Sequence, residues 1–231
     1  MAAGNRPSDA VRSRIVRDGV AVGIATGAYG VSFGALSSVA ELSLAQTCTL
    51  SLLMFTGASQ FALVGVVSSG GNPLAGAATA VMLGVRNTFY GLRLSSLLRL
   101  GGARRFLAAH FVIDESTAMA IAHDDDERAG IAFWATGVAI FVCWNVGTVL
   151  GALAAEAFSD PSVLGLDAAA PAAFLALLAS RLRGREPWTV ALVAAAVAVI
   201  VTPFVPTTVP VLAAAAVAVA VGISKNTGST A

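Results

Sequence analysis

Charged residues are scarce in this chain of 231 residues: they make up 12% of the sequence, against 57% for hydrophobic residues. A soluble protein carries about 25% charged residues. A water-soluble fold cannot hide so much apolar surface, so the composition excludes a soluble globular domain and predicts an all-α, polytopic integral membrane protein. The formal net charge of +1 also argues against a nucleic-acid partner, because no basic face is available to neutralise phosphates.

Side chains that bind metals or act as nucleophiles are also few. Cys48 and Cys143 lie inside apolar runs, where small buried hydrophobes are expected rather than a disulfide or metal site. His110 and His123 have no Cys or His partner at ligand spacing, and the acidic run 123–128 is interpreted as a solvated loop. The sequence contains no phosphate-binding P-loop and no recognisable nucleophile set. We therefore predict no metal, no cofactor and no enzyme activity, and no ATP-driven transport by this chain alone.

Apolar runs of about 20 residues, enough to cross a bilayer, cover most of the chain and show no strand-like alternation. They predict one transmembrane transport domain over residues 19–223. An Arg-rich tail of residues 1–18 and a short tail of residues 224–231 flank it, both expected in the cytoplasm. The three tryptophans fit membrane-interface or helix-packing roles. The candidate segments are 19–40, 44–69, 73–98, 106–122, 130–155, 163–182, 188–203 and 207–223.

The positions of the basic residues predict that some of these segments do not cross the membrane. Arg and Lys prefer the cytoplasmic side, which would group the N-terminal tail with residues 99–105 and 181–185. Three candidate segments separate each cluster from the next. The clusters share one side only if one segment in each trio is a hairpin that enters and leaves on the same side. We predict about six or seven crossings, with discontinuous or re-entrant helices in the first half and 106–122 as one of them.

Four glycines recur every three or four residues in the first candidate segment: Gly23, Gly27, Gly30 and Gly34. Small residues four apart allow two helices to approach closely. The alternative is a helix that unwinds here and exposes its carbonyl groups to a ligand. The sequence leaves both interpretations open.

A polar pair, Ser59 and Gln60, follows Gly57 near the middle of the second segment. A glutamine amide brings two donor hydrogens and an acceptor into a region without water. Hydrogen bonds between helices and binding of a solute explain it equally well. The preceding glycine favours a helix break, at which free backbone N–H groups could receive a carboxylate.

A second polar group, Arg86, Asn87 and Tyr90, interrupts the third segment. Arg86 lies about 20 Å along a helix from Pro73, too deep for its side chain to reach the nearer interface easily. It could pair with a carboxylate of the protein, or it could anchor an anionic group of a solute. These two roles are compatible.

Asp114 and Glu115 are the carboxylates available inside the fourth segment. Adjacent residues on a helix project about 100° apart, so one can pair while the other stays available. They could pair with Arg86 or Arg93, or they could receive a substrate ammonium group or a coupling proton.

Taken together, these motifs resemble the AzlC family, the large subunits of bacterial branched-chain amino acid exporters. The similarity extends from about residue 15 to residue 222. Its most specific part is the block at residues 57–61 combined with the Arg/Tyr-Gly block that follows. The motifs are Gly30-x-x-Phe33-Gly34, Gly57-Ala-Ser-Gln-Phe61, Arg86-x-x-x-Tyr90-Gly91, Asp114-Glu115, Trp144-x-x-Gly147-x-x-x-Gly151, Leu164-Gly-Leu-Asp167 and Ala170-Pro-Ala-Ala-Phe174.

The resemblance implies an exporter of valine, leucine, isoleucine and methionine in the bacterial cytoplasmic membrane, driven by an ion gradient. It also implies a small hydrophobic partner subunit of the AzlD type. The family usually has His where this chain has Asn87, so a titratable role there is not implied. The predicted substrate-binding residues are Gly57, Ser59, Gln60, Arg86, Asn87 and Tyr90, with Asp114 and Glu115 as coupling or ion-pair residues.

Two other classes of function compete with transport. In a non-transporting scaffold or assembly subunit, the intramembrane polar residues would only hold helices together. A membrane-embedded enzyme would need an acid/base pair and a nucleophile, and the sequence offers only the two adjacent carboxylates.

Overall fold

The structure, a computed structural model, describes residues 7–157 and 184–205, with scattered positions outside these ranges. Within the two ranges the chain is helical and contains no strand, which confirms the all-α prediction. The predicted segments 163–182 and 207–223 and the tail 224–231 lie outside them. The helices are α1 (Asp9–Val39), α2 (Leu44–Leu53), α3 (Ala58–Ser68), α4 (Pro73–Leu98), α5 (Ala103–His110), α6 (Asp114–Ile121), α7 (Asp126–Ala157) and α8 (Arg185–Val201), which a 3-10 turn at Thr202–Phe204 continues.

Three described helices are long and apolar enough to cross a membrane: α1, α7 and the run Arg185–Phe204. The 26-residue α4 is about 39 Å long and exceeds the apolar thickness of a bilayer, although it carries Arg86 and Arg93. Large apolar side chains such as Leu74, Met82 and Phe89 are exposed on α4, as expected of a surface that faces lipid. The total of six or seven crossings stays a prediction.

Helices α1 and α7 pack against each other so closely that glycine is required at the contact. A Cβ atom at Gly23 would collide with Ala139, and one at Gly34 would collide with Thr148. The residue numbers rise together along both helices, so α1 and α7 run parallel. Helix α1 is continuous over all 31 residues. The packing interpretation of the glycines is therefore confirmed, and the alternative of an unwound helix is wrong.

Helices α2 and α3 form a hairpin at the C-terminal end of α1. Only residues 40–43 separate α1 from α2, so α2 starts at that end. Helix α3 runs antiparallel to α4, because a Cβ atom on Gly76 would meet Leu63 whereas one on Gly84 would lie 3.7 Å from the Ser59 hydroxyl. Helix α4 also starts at the C-terminal end of α1, so α3 must finish at that end. Helix α2 therefore runs from that end toward the middle of the molecule, and α3 runs back to it.

Helices α5 and α6 form a second hairpin, which enters from the other end. Arg99, just after α4, pairs with Asp126 at the start of α7 at 3.1 Å. Helix α5 leaves this end and brings the His110 ring to 5.6 Å from the Phe141 ring, midway along α7. Helix α6 begins beside Arg86 and runs back to the start of α7.

The two hairpins account for the interruptions predicted within 44–69 and 106–122. They also bring residues 9–18, 99–105 and 122–128 to one end of the molecule, which we call the basic end. The described residues at the opposite end, 40–43 and 69–72, contain no Lys or Arg. Residues 9–18, predicted to be part of a tail, are helical and continue into α1.

Candidate functional site

The first helix break is held open by one side chain. Gly57 adopts a φ of +62° with a ψ of −91°, a sparsely populated conformation that costs residues with a Cβ atom about 1–3 kcal/mol. The Gln60 Oε1 atom accepts from the Gly57 N–H at 3.1 Å, and its Nε2 donates to the Leu50 carbonyl at 3.1 Å. Gln60 therefore bridges the end of α2 and the start of α3: it satisfies the Gly57 N–H, which the break leaves unpaired, and adds a second bond to the Leu50 carbonyl, which also accepts from the Met54 N–H.

Ser59 and Gln60 are both buried, and neither lines the two cavities described below. Gln60 has no exposed surface and Ser59 is 1% exposed. The Ser59 side chain lies on the side of α3 that faces Gly84 of α4. The predicted substrate contacts of these two residues stay predictions, and the observed bonds of Gln60 belong to the helix break.

The second break uses a serine for the same purpose. Ser116 Oγ accepts from the Ile113 N–H at 3.2 Å and donates to the Phe111 carbonyl at 2.6 Å. Like Gln60 in α3, Ser116 lies in the first turn of α6, the returning helix of its hairpin, and is fully buried. Both hairpin tips are thus closed by a side chain of the returning helix.

The ion pair between Arg86 and Asp114 joins α4 to the second hairpin. Arg86 Nη1 lies 3.0 Å from Asp114 Oδ2, with side-chain exposures of 33% and 16%. Asp114 is the first residue of α6, where a negative charge is also stabilised by the helix dipole. The pairing predicted for Arg86 is confirmed. The Arg86 Nε atom is buried and has no hydrogen-bond partner among the described residues.

A small cavity of about 70 Å³ lies between the two hairpin tips. This volume exceeds the roughly 10–15 Å³ that one water needs and is far below the roughly 300–1,000 Å³ of drug-sized pockets. Its walls combine charged groups, helix N-termini and apolar rings from α1, α4, α7 and both tips. The lining residues are Thr26, Tyr29, Phe55, Thr56, Gly57, Ala58, Arg86, Ile113, Asp114, Glu115, Ile140 and Trp144.

A much wider cavity of about 710 Å³ lies on the other side of the first hairpin tip. It extends from Asn87 along α4 and α5 to Arg105 near the basic end. Phe55 and Thr56 line both cavities, so the tip of the first hairpin forms the wall between them. His110 stands at this wall, with its ring 5.9 Å from that of Phe55.

The structure therefore divides the predicted site residues into three groups. Gly57, Arg86, Asp114 and Glu115 come together in the small cavity. Asn87 lines the wide cavity instead. Ser59, Gln60 and Tyr90 line neither of these cavities, and Tyr90 packs against the hydrophobic core.

Two residues at these cavities were missed by sequence reasoning. Trp144 was assigned only to packing or to the membrane interface, yet it lines the small cavity. His110 was considered only as a metal ligand, yet it lines the wide cavity. Nothing near either residue in the sequence signals these positions, because both depend on where the hairpin tips end.

A comparison with protein-family models identifies the family of this chain. The family model described as "AzlC protein" matches residues 21–158, which is well over half of the chain. The chain belongs to the AzlC family. The match runs from residue 21, within α1, to the end of α7 and includes both hairpins and the small cavity. It is shorter than the resemblance predicted over about 15–222 and leaves out the motifs at 164–174.

The AzlC family is associated with branched-chain amino acid transport. The membership of this chain in the family and its long apolar helices together indicate an integral membrane protein. Searches of curated proteins and of solved structures gave no match.

Proposed function

We propose that this chain is the large subunit of an exporter of branched-chain amino acids, and that the small cavity is its substrate site. The observation that carries the proposal is that groups of opposite charge line this cavity together. Gly57 and Ala58 at the start of α3 and the Arg86 guanidinium offer positive charge. Asp114 and Glu115 at the start of α6 offer negative charge.

An amino acid zwitterion matches this arrangement in charge and in order. Its carboxylate would bind Arg86 and the N-terminus of α3, where N–H groups and the helix dipole favour an anion. Its ammonium group would bind Asp114. The substrate thereby replaces the Arg86–Asp114 ion pair without leaving either charge uncompensated, which a desolvated site would not tolerate.

In this conformation the cavity of about 70 Å³ is smaller than valine, so the hairpin tips must separate before its apolar part can hold a small branched side chain. Phe55, Ile113 and Ile140 line it and offer no hydrogen bond to a polar side chain. In such a pocket one methylene group changes the binding free energy by only about 1–3 kcal/mol. Poor discrimination between valine, leucine and isoleucine, with methionine also accepted, is the expected consequence.

The wide cavity supports export as the direction. It extends to the basic end, which the preference of Arg and Lys for the cytoplasmic side places in the cytoplasm. Substrate would enter there and reach the small cavity by displacement of the wall at Phe55 and Thr56. In this proposal an ion gradient drives the cycle, and a small hydrophobic subunit of the AzlD type completes the transporter in the bacterial cytoplasmic membrane.

Valine counterflow in proteoliposomes that contain this chain with its small partner tests the proposal. The wild type should accumulate labelled valine above protein-free vesicles. The double variant Arg86→Asp/Asp114→Arg restores an ion pair in reverse order, so it should regain the thermal stability that each single variant loses. Its counterflow should stay at least about 100-fold below wild type, because the N-terminus of α3 cannot be reversed. Arg93→Ala, a change to an exposed arginine seven residues along α4, is the control and should transport normally.

The scaffold alternative predicts the opposite pattern. A wild type that shows no valine counterflow, together with a reversed pair that assembles with the partner normally, would favour a purely structural role. A reversed pair that transports valine like the wild type would contradict the assignment of the site.

A further inference from the structure

The indole of Trp144 is a buried donor without an acceptor. Trp144 is 4% exposed, and its Nε1 atom has no hydrogen-bond partner among the described residues. A buried indole N–H normally finds a partner, because leaving it unpaired carries the full cost of removing it from water. The same side chain lines the small cavity. An acceptor seated in that cavity would resolve the deficit.

The ring is fixed before any ligand arrives. On its core side, the Phe33 ring stacks on it at 6.1 Å, and the Phe61 ring meets it edge-on at 6.0 Å. Neither phenylalanine offers an acceptor. The backbone of Trp144 is held against α1 at Gly30, where a Cβ atom would collide with the Trp144 carbonyl oxygen. A donor held in this way binds an acceptor without first losing rotamer freedom.

The position of the ring relates it to the positive end of the cavity. A Cβ atom on Gly57 would lie 3.9 Å from Trp144 Cη2, so the indole lies beside the start of α3. Arg86 lines the same cavity and has a buried Nε without a partner. Trp144, Arg86 and the start of α3 thus line a single small space.

We propose that Trp144 is a substrate-binding residue whose Nε1–H donates a hydrogen bond to a carboxylate oxygen of the transported amino acid. This inference rests on the proposed function. It adds a neutral donor to the carboxylate subsite formed by Arg86 and the N-terminus of α3. A neutral donor suits this position because it orients the carboxylate without adding a second positive charge to be compensated when the site is empty.

The test measures the indole N–H directly. The wild-type chain, purified in detergent with its co-expressed partner and labelled with ¹⁵N at tryptophan, gives indole resonances that Trp144→Phe and Trp134→Phe assign. L-valine should shift the Trp144 resonance downfield, while the Trp134 resonance, from the same helix, should stay in place. Isobutylamine, which is valine without its carboxylate, should leave the Trp144 resonance unmoved.

Affinity for valine, measured by calorimetry on the same complexes, provides the second measurement. Trp144→Phe keeps an aromatic ring against Phe33 and Phe61 but removes the donor together with part of the ring surface, so it should weaken valine binding by about 10- to 100-fold. Trp134→Phe should bind valine like the wild type. If Trp144→Phe does not fold, the resonance shift in the wild type still decides the question.

The outcomes separate this inference from the function on which it rests. Valine binding by the wild type without a shift of the Trp144 resonance would overturn the inference and leave the exporter proposal standing. A wild type that binds no valine would overturn both. A shift produced equally by isobutylamine would also overturn the inference, because the carboxylate would then not be the acceptor.

Discussion

The first hairpin (α2 and α3) and the second hairpin (α5 and α6) enter from opposite ends and meet at the small cavity. Each leaves backbone groups unpaired at its tip, and each satisfies them with a buried side chain three residues into the returning helix. Gln60 serves the first tip, and Ser116 serves the second. The structural problem is the same in both hairpins and the solution is similar.

The electrostatics of the two tips differ. The first turn of α3 contains no acidic residue, so the positive end of its dipole faces the cavity uncompensated by its own sequence. The first turn of α6 begins with Asp114 and Glu115, which offset its dipole and leave a net negative end. Without these carboxylates, both helix N-termini would attract an anion. With them, the first tip attracts an anion and the second attracts a cation. This difference gives the cavity a direction and favours a zwitterion over an anion or a cation.

The largest loss of stability is expected when Gln60, the side chain that closes the first hairpin tip, is replaced. Gln60→Leu leaves the Gly57 N–H without its partner and removes the bond to the Leu50 carbonyl, which then keeps only the Met54 N–H as donor. We expect a loss of about 2–4 kcal/mol in the free energy of unfolding, measured by equilibrium unfolding in mixed detergent and SDS micelles.

Ser116→Ala is the matched change in the second hairpin. Its bonds join residues only three to five positions apart, so we expect a smaller loss of about 1–2 kcal/mol. A loss for Ser116→Ala equal to or greater than that for Gln60→Leu would contradict the idea that Gln60 ties together two separate half-helices.

A smaller effect is expected from the backbone of the first tip. A Cβ atom at Gly57 meets no atom closer than 3.9 Å, so only the backbone conformation opposes Gly57→Ala, and the cost should be about 1–3 kcal/mol. Gly130→Ala, inside α7 with no atom within 4 Å, is the control and should stabilise by about 0.5–1 kcal/mol. The two glycines should thus give opposite signs in the same unfolding measurement, and equal signs would show that the Gly57 conformation is not required.

The sequence predicted those features that local signals mark. The prediction of 73–98 for α4 agrees with Pro73–Leu98, because Asn72 caps the helix and Pro73 suits its first position. The break near Gly57 was indicated by the glycine and the polar pair. The glycine spacing of α1 predicted close packing, although it could not name α7 as the partner.

Other features depend on tertiary contacts and have no local signal. The tip at residues 111–113 contains neither Gly nor Pro, so the sequence suggested a hairpin there without locating its turn. The bond from Gln60 to Leu50 forms only when α2 and α3 fold back on each other. The sequence gives no sign that Trp144 and His110 line cavities, because the hairpin tips define these cavities.

Competition for the substrate site tests the central claim, that a zwitterion binds between the two hairpin tips, most directly. Binding of labelled valine to the purified complex is competed with unlabelled valine, with isovalerate, which lacks the ammonium group, and with isobutylamine, which lacks the carboxylate. We predict that each singly charged analogue competes at least about 100-fold more weakly than valine, because each leaves one side of the Arg86–Asp114 pair uncompensated. Competition by either analogue at concentrations close to those of valine would contradict the account.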